Sequence, residues 1–284
     1  MENIIKKAGI LIEAIPYIHE FRQKVFVIKY GGSILDNDAI RKVVLEDIVF
    51  LSFVGIRPVL IHGGGPHISS RIKETGLKSE FHNGIRVTDA ATLTIVEEEF
   101  RKLNQKITRE IKELRGDVVG LQGHEGLVRV EKKQSDRDLG FVGEALGADI
   151  EKIISILSAG KIAVISPMGC DAGGQMFNVN ADETASAIAK AMKAEKLVLL
   201  TDVKGVMRNP ADLNSLISSL TLKEMEELQI DQVIQGGMIP KVNACAEALA
   251  AGIHKVHIID ARIPHALLLE FFTDKGIGTQ IVKE

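Results

Sequence analysis

Short apolar runs, each ending in a glycine-rich or polar turn and followed by a helical pattern, recur along this chain and restrict its fold more than any other feature. Val25–Ile28 leads into Gly31-Gly32, and Pro58–Ile61 leads into His62-Gly63-Gly64-Gly65. Val118-Val119, Ile162–Ile165, Leu197–Leu200 and Val256–Ile259 are further strand cores. Helical patterns at about 38–53, 89–115, 182–193 and 239–251 lie between them. Uninterrupted apolar strands are buried on both faces. Their alternation with helices predicts an α/β fold, an open and mostly parallel sheet sandwiched between helices.

Two stretches depart from the alternation. Near the start, Ile4, Ile5, Leu11, Ile12, Ile15 and Ile18 fall at helical spacing ahead of the first strand, with Pro16 placed to bend the helix. Such a helix needs a partner for its apolar face, either the body of the chain or a second subunit. Between about 123 and 147, short alternating runs such as Leu127–Val130 sit among glycines and charges, which predicts a β-hairpin excursion. The turn-forming stretch 169–177 suits a seam between two lobes.

The 284 residues suffice for one large or two modest domains. A net charge of −3 gives no general attraction to nucleic acid or to an anionic membrane, so a polyanionic ligand would need locally concentrated positive charge. No apolar run is long enough to span a bilayer, and the first residues lack the apolar core of a signal peptide. Cys170 and Cys245 are far apart and form no CxxC pair, as expected of free thiols in a reducing cytoplasm.

In an open parallel sheet, ligands bind at the carboxyl ends of the strands. Lys29-Tyr30-Gly31-Gly32 places a lysine beside two glycines whose backbone can approach an anion. Gly63-Gly64-Gly65-Pro66 forms an anion nest at the positive end of a helix, and His62 reads as a turn residue rather than a catalyst. Thr201-Asp202-Val203-Lys204-Gly205-Val206 follows another strand. Gly236-Gly237-Met238 leads into a helix with Lys241 in its first turns. In Asn178-Val179-Asn180-Ala181-Asp182, Asn180 suits an N-cap, and Asp182 could organise two lysines. There is no GxxxxGK[ST], no GxGxxG after a strand, no HRD or DFG, no HExxH and no EF-hand loop, and the histidines have no metal-ligand spacing.

Taken in order, Lys-Tyr-Gly-Gly, His-Gly-Gly-Gly-Pro, Asn-Gly-Ile-Arg-Val-Thr, Asn-Val-Asn-Ala-Asp, Leu-Thr-Asp-Val-Lys-Gly-Val and Gly-Gly-Met-Ile-Pro-Lys resemble the amino acid kinase family, and within it the arginine-sensitive, hexameric acetylglutamate kinases. The resemblance implies transfer of the γ-phosphoryl of ATP to the side-chain carboxylate of N-acetyl-L-glutamate, in arginine biosynthesis. It implies that Lys29 stabilises the transferring phosphoryl group, that Lys241 acts on the leaving side and that Asp182 orients both. Gly31 and Gly32 would bind phosphate oxygens. Gly64, Gly65, Arg86 and Asn178 would bind the acceptor. Thr201, Asp202, Val203, Lys204, Gly205, Val206, Gly236, Gly237 and Met238 would bind ATP, with Mg²⁺ held by phosphates and water and no protein metal site. The chemistry agrees: an acceptor carboxylate is already ionised at neutral pH and needs no general base, while phosphoryl transfer rests on positioning and charge.

The same resemblance makes residues 1–22 an oligomerisation helix, 23–176 an acceptor-binding and dimerising lobe, and 177–284 an ATP lobe. It implies a dimer or a trimer of dimers and leaves a regulatory protein partner open. It places an allosteric arginine site at Tyr17, Lys196, His257, Glu270 and Gly276. The alternatives are a sister kinase acting on another acid or on carbamate, and a non-catalytic arginine sensor. Asn83–Arg86 and Asn178 speak against the first, and intact Lys29, Asp182 and Lys241 against the second.

Overall fold

A computed structural model describes residues 2–209, 212, 214–236 and 238–283. Two helices come first, α1 (Glu2–Glu13) and α2 (Ile15–Phe21), separated at Ala14 where Pro16 sits in the first turn of α2. Next are β1 (Val25–Tyr30), a 3₁₀ turn over Gly32–Asp36, α3 (Asp38–Phe53), β2 (Arg57–His62) and α4 (Gly65–Glu74). A short ribbon, β3 (Phe81–His82) with β4 (Ile85–Arg86), precedes the long α5 (Ala90–Glu113). Then follow β5 (Val118–Gln122), β6 (Val128–Lys132), β7 (Val142–Ala148), α6 (Glu151–Ser158), β8 (Ile162–Ser166), β9 (Met168–Cys170) and β10 (Met176–Val179). The chain continues through α7 (Ala181–Met192), β11 (Lys196–Thr201), β12 (Ser219–Thr221), α8 (Leu222–Ile230) and α9 (Met238–Ala250). It closes with β13 (Lys255–Asp260), α10 (Ala266–Phe271) and β14 (Thr279–Val282).

Eight strands form one sheet in the order β12-β14-β13-β11-β1-β2-β8-β5. It is parallel from β13 to β5, and β14 runs antiparallel to β13. The central strand is β1, with Val27 opposite Val59 on one side and Leu197 on the other. Side chains alternate across it. Phe26, Ile28 and Tyr30 enter a core shared with α3, α5 and α10, whereas Val27 enters the core shared with α7 and α9. Lys29 has the parity of Val27. The period of two therefore aims its side chain at the layer that holds α7 and α9.

The expected hairpin is β6–β7, but it is not a free excursion. With β9 and β10 it closes a small four-stranded barrel, and Val128, Val130, Phe177 and Val179 join the main core. The turn-forming stretch 169–177 is the β9–β10 connection, tied by Asp171 Oδ1, which accepts from the amides of Gly173 and Gln175. The barrel brings Asn178 and Asn180 to the mouth of the sheet, beside the turns after β1 and β2.

Candidate active site

Asp182 lies in the first turn of α7, whose N-cap is Asn180: the Asn180 side chain accepts from the Asp182 and Glu183 amides at 2.8 and 3.3 Å. Ala185, Ile188 and Ala189 on the same helix pack on β1 and its neighbours, which fixes the Asp182 end of that stripe above Lys29. Lys241 has the same place on α9, ahead of Val242, Cys245 and Ala248 in the same core. Two helices docked side by side on one face of β1 thus converge on a single point. There Lys29 Nζ lies 2.9 Å from Asp182 Oδ1, and Lys241 Nζ lies 3.2 Å from Asp182 Oδ2.

Lys29 and Asp182 are 6% and 5% exposed. Burial pulls the Lys29 pKa down, Asp182 pulls it back up, and Lys241 lowers it further, for a net depression. Burial opposes ionisation of Asp182, but the two ammonium groups outweigh it and hold the carboxyl below its ordinary value. One carboxylate between two cations leaves an excess of positive charge in a cluster where Lys29 and Asp182 are buried. That arrangement stabilises an added anion strongly.

The glycine turns complete the pocket wall. A Cβ on Gly31 would lie 3.0 Å from Lys29 Cε and 3.3 Å from Gly63 Cα, so a side chain there would press on both the lysine and the second turn. The Gly63 amide donates to the Tyr30 carbonyl at 2.7 Å, joining the turn after β1 to the turn after β2. Gly64 rests on Phe100 of α5, whose ring a Cβ would approach to 2.8 Å. Gly32 begins the 3₁₀ turn, and Gly65 opens α4.

Lys29, Gly64, Gly65, Arg86, Asn178 and Asp182 line one cavity of about 220 Å³. Arg86 is buried rather than a surface charge on a strand. Its guanidinium donates to Ser79 Oγ at 2.5 Å, to Ser69 Oγ at 2.7 Å and to the Gly65 carbonyl at 3.1 Å, and it lies 4.6 Å above the Phe81 ring. Burial lowers its pKa from the ordinary value. Asn178 donates to Thr88 Oγ1 at 3.2 Å. A carboxylate-bearing acceptor would meet Arg86 at one end of this cavity and Lys29 at the other.

A second cavity, of about 680 Å³, is lined by Asp202, Val203, Lys204, Gly205, Val206 and Met238. Thr201 is buried at the end of β11, where its carbonyl accepts from the Ala261 amide; it does not reach the cavity wall. Gly236 stands just ahead of α9 at φ 57°, off that wall, and Gly237 lies outside the described residues. Sequence reasoning missed Met207–Asn209, Gln232 and Arg262 on this wall. Arg262 is held by both Asp260 oxygens, at 2.9 and 2.7 Å. An Asp two residues before an Arg at a strand end was the available signal.

Tyr17, Lys196, His257, Glu270 and Gly276 line a third cavity, of about 520 Å³, between α2 and the β13–α10 region. Lys196 is not a solvated charge. It is 6% exposed, with its ammonium 4.9 Å from the Phe21 ring centre and 5.5 Å from that of Phe271. Glu270 accepts from His257 Nδ1 at 2.7 Å and from the Ile277 and Gly278 amides. Gly276 passes so close that a Cβ would lie 2.8 Å from Glu270 Oε2. Among the described residues, no group of three or more His, Cys, Asp or Glu could hold a metal ion.

The profile of the amino acid kinase family matches residues 24–260. The acetylglutamate kinase of Desulforamulus reducens is 46% identical over the full length of both chains. That of Caldanaerobacter subterraneus subsp. tengcongensis is 49% identical, covering 99% of this chain and 94% of that one. Among solved structures, the N-acetylglutamate synthase of Neisseria gonorrhoeae complexed with coenzyme A and N-acetyl-glutamate superposes with a TM-score of 0.87 at 27% identity, covering 98% of this chain. The same synthase complexed with coenzyme A and L-arginine gives 0.83 at 26% identity, covering 98% of this chain. This chain spans 63% and 65% of those two synthase chains. The chain belongs to the amino acid kinase family. Its likeness along the whole length is to the acetylglutamate kinases of that family.

Proposed function

We propose that this protein transfers the γ-phosphoryl of ATP to the side-chain carboxylate of N-acetyl-L-glutamate, giving N-acetylglutamyl 5-phosphate and ADP, the second step of arginine biosynthesis. The observation that carries the reading is Asp182 gripping Lys29 and Lys241 at 2.9 and 3.2 Å, where the acceptor cavity begins. The acceptor carboxylate attacks the γ-phosphorus while the bond to the bridging oxygen of ADP breaks. Lys29 and the amides of the glycine turns meet the charge on the transferring group, and Lys241 meets it on the leaving side. Arg86 and Asn178 hold the far end of the acceptor. No base is needed, and none is offered: His62 is fully buried and hydrogen-bonded within its own turn. ATP occupies the 680 Å³ cavity, on residues 202–209 and 232–235 with Met238 and Arg262. Mg²⁺ fits as a nucleotide-borne ion, because Asp182, the carboxylate at the transfer point, is already engaged by two ammonium groups.

A coupled assay of ADP release with acetylglutamate, glutamate, aspartate and carbamate tests the acceptor. Turnover is expected with acetylglutamate. Inert acetylglutamate beside an active alternative would overturn the assignment.

We assign the third cavity to L-arginine acting as a feedback inhibitor. It offers Glu270 for a guanidinium and Lys196 for a carboxylate. His257 Nε2, a buried polar atom without a partner among the described residues, offers a further contact. The exposed Ile5, Ile10, Leu11, Ile12 and Ile15 of α1 and α2 support a second copy of this chain as the partner of that face, in a dimer or trimer of dimers. Residues 23–176 then form the acceptor lobe and 177–284 the nucleotide lobe. Free Cys170 and Cys245 fit a cytoplasmic enzyme, and among the described residues no helix is long and apolar enough to cross a membrane.

A further inference from the structure

A buried polar axis runs under the glycine turn, outside the residues assigned so far. Asn104, in the middle of α5, is 2% exposed, although it lies on the apolar stripe with Phe100, Leu103, Ile107 and Ile111. Its Nδ2 donates to the Val164 carbonyl at 3.1 Å and the Leu121 carbonyl at 3.3 Å, and lies 3.3 Å from His62 Nε2. Gly120 makes room for it, since a Cβ there would lie 2.2 Å from Asn104 Oδ1. Two carbonyls that can only accept fix which end of the amide faces them. The amino group shares its two hydrogens among these three acceptors, and because His62 Nε2 faces a group that can only donate, His62 carries its proton on Nδ1.

His62 Nδ1 lies 2.9 Å from the Gly63 carbonyl oxygen, and an Nδ1–H donates to it. Burial also drives the His62 pKa down to about 4, which keeps the ring neutral at working pH. A trans peptide points its carbonyl and the following N–H in opposite directions. With the Gly63 carbonyl turned in toward His62, the Gly64 N–H points away from His62, and Gly64 lines the cavity that holds Lys29 and Arg86. The Gly63 amide is tied to the Tyr30 carbonyl at 2.7 Å, which fixes the preceding peptide unit, and the His62 contact holds the carbonyl of the next one.

We infer that Asn104 and His62 are positioning residues for phosphoryl transfer: Asn104 sets the His62 tautomer, and His62 turns the Gly64 amide toward the reacting anion. The inference rests on the kinase reading above. It requires that the Nδ1 proton of His62, rather than the volume of its ring, sustains the rate.

Asparagine reproduces the Nδ1 end of histidine, and glutamine reproduces the Nε2 end. His62→Asn can still donate to the Gly63 carbonyl, whereas His62→Gln fills more of the space and cannot. We expect His62→Gln to lower kcat by about 100-fold, the cost of a misaimed contact, with little change in the KM for ATP. His62→Asn should retain about ten-fold more kcat than His62→Gln. A purely structural role predicts the reverse order, and that order would overturn the inference. Histidine ¹⁵N spectra of the wild-type enzyme give a second readout that depends on no variant folding. A neutral Nδ1–H tautomer for His62 supports the arrangement, and an Nε2–H tautomer overturns it. Failure of the wild type to phosphorylate acetylglutamate would count against the acceptor assignment instead. The tautomer spectrum would still judge the axis, and the variant ratio would be read with whichever acceptor turns over.

Discussion

At the residue scale, the protein uses two kinds of charge-capable group for opposite ends. Lys29 and Lys241 share the single carboxylate of Asp182, at 2.9 and 3.2 Å, and in the proposed mechanism a phosphate is the anion that completes the group. Lys241→Ala should lower kcat about 100- to 1,000-fold while circular dichroism shows an intact fold, as for loss of one preorganised donor to a transition state. An unchanged kcat would remove Lys241 from the mechanism. His62 is held neutral, and the sign of its pH effect follows. The unfolded chain binds a proton near 6.5, whereas the folded ring resists until about 4, so stability falls as pH drops through that window. This contribution is on the order of 3 kcal/mol, at about 1.4 kcal/mol per pH unit. Urea melts should show His62→Asn losing less stability than wild type between about pH 7 and about pH 4. Equal losses would contradict the burial of a neutral ring.

At the element scale, the strands and glycine turns were legible because each signal is local. An apolar run, then glycine, then a helix start needs only neighbouring residues to be recognised. The partners of Arg86 were not legible: Ser69, Ser79 and Phe81 come from α4, from the segment after it and from β3, and only the folded ribbon gathers them. Asn104 did leave a trace, a polar side chain on the apolar stripe of α5 with a glycine inside a strand to receive it. The barrel was half legible. Alternation marked the β6–β7 hairpin, but closure by β9 and β10 depends on contacts between distant segments. Gly169 is essential to that closure, since a Cβ there would lie 2.2 Å from Val130 Cγ1 and 2.8 Å from the Val128 carbonyl oxygen. Gly169→Ala should destabilise the protein by about 1–3 kcal/mol, the usual cost of overpacking. It should also raise the KM for acetylglutamate, because β10 carries Asn178. A melting temperature equal to wild type would show that the barrel has slack.

At the scale of the whole molecule, the sheet separates the reaction from its proposed control. The cavities proposed for the acceptor and the nucleotide lie around the turns after β1, β2 and β11. The third cavity gathers Lys196, which starts β11, and Lys255 and His257 on β13 with α2 and α10. β1 and β11 run from one region to the other, so a ligand that shifts α2 or α10 acts on elements that also carry Lys29 and the nucleotide wall. Tyr17 and Phe21 tie α2 to this cavity, while Ile5, Ile10, Leu11 and Ile12 of α1 are exposed, the face proposed above to meet a second copy. Deleting residues 1–20 should therefore give dimers by light scattering and weaken inhibition by arginine. A hexamer with full inhibition would refute both roles.

The most direct test is a crystal structure with a non-hydrolysable ATP analogue and N-acetyl-L-glutamate both bound. The account predicts the Lys29 and Lys241 ammonium groups each within about 3 Å of an oxygen on the γ-phosphoryl group, with Asp182 still between them and the Arg86 guanidinium on the far carboxylate of the acceptor. Either ammonium turned away from that phosphorus, into solvent, would contradict it.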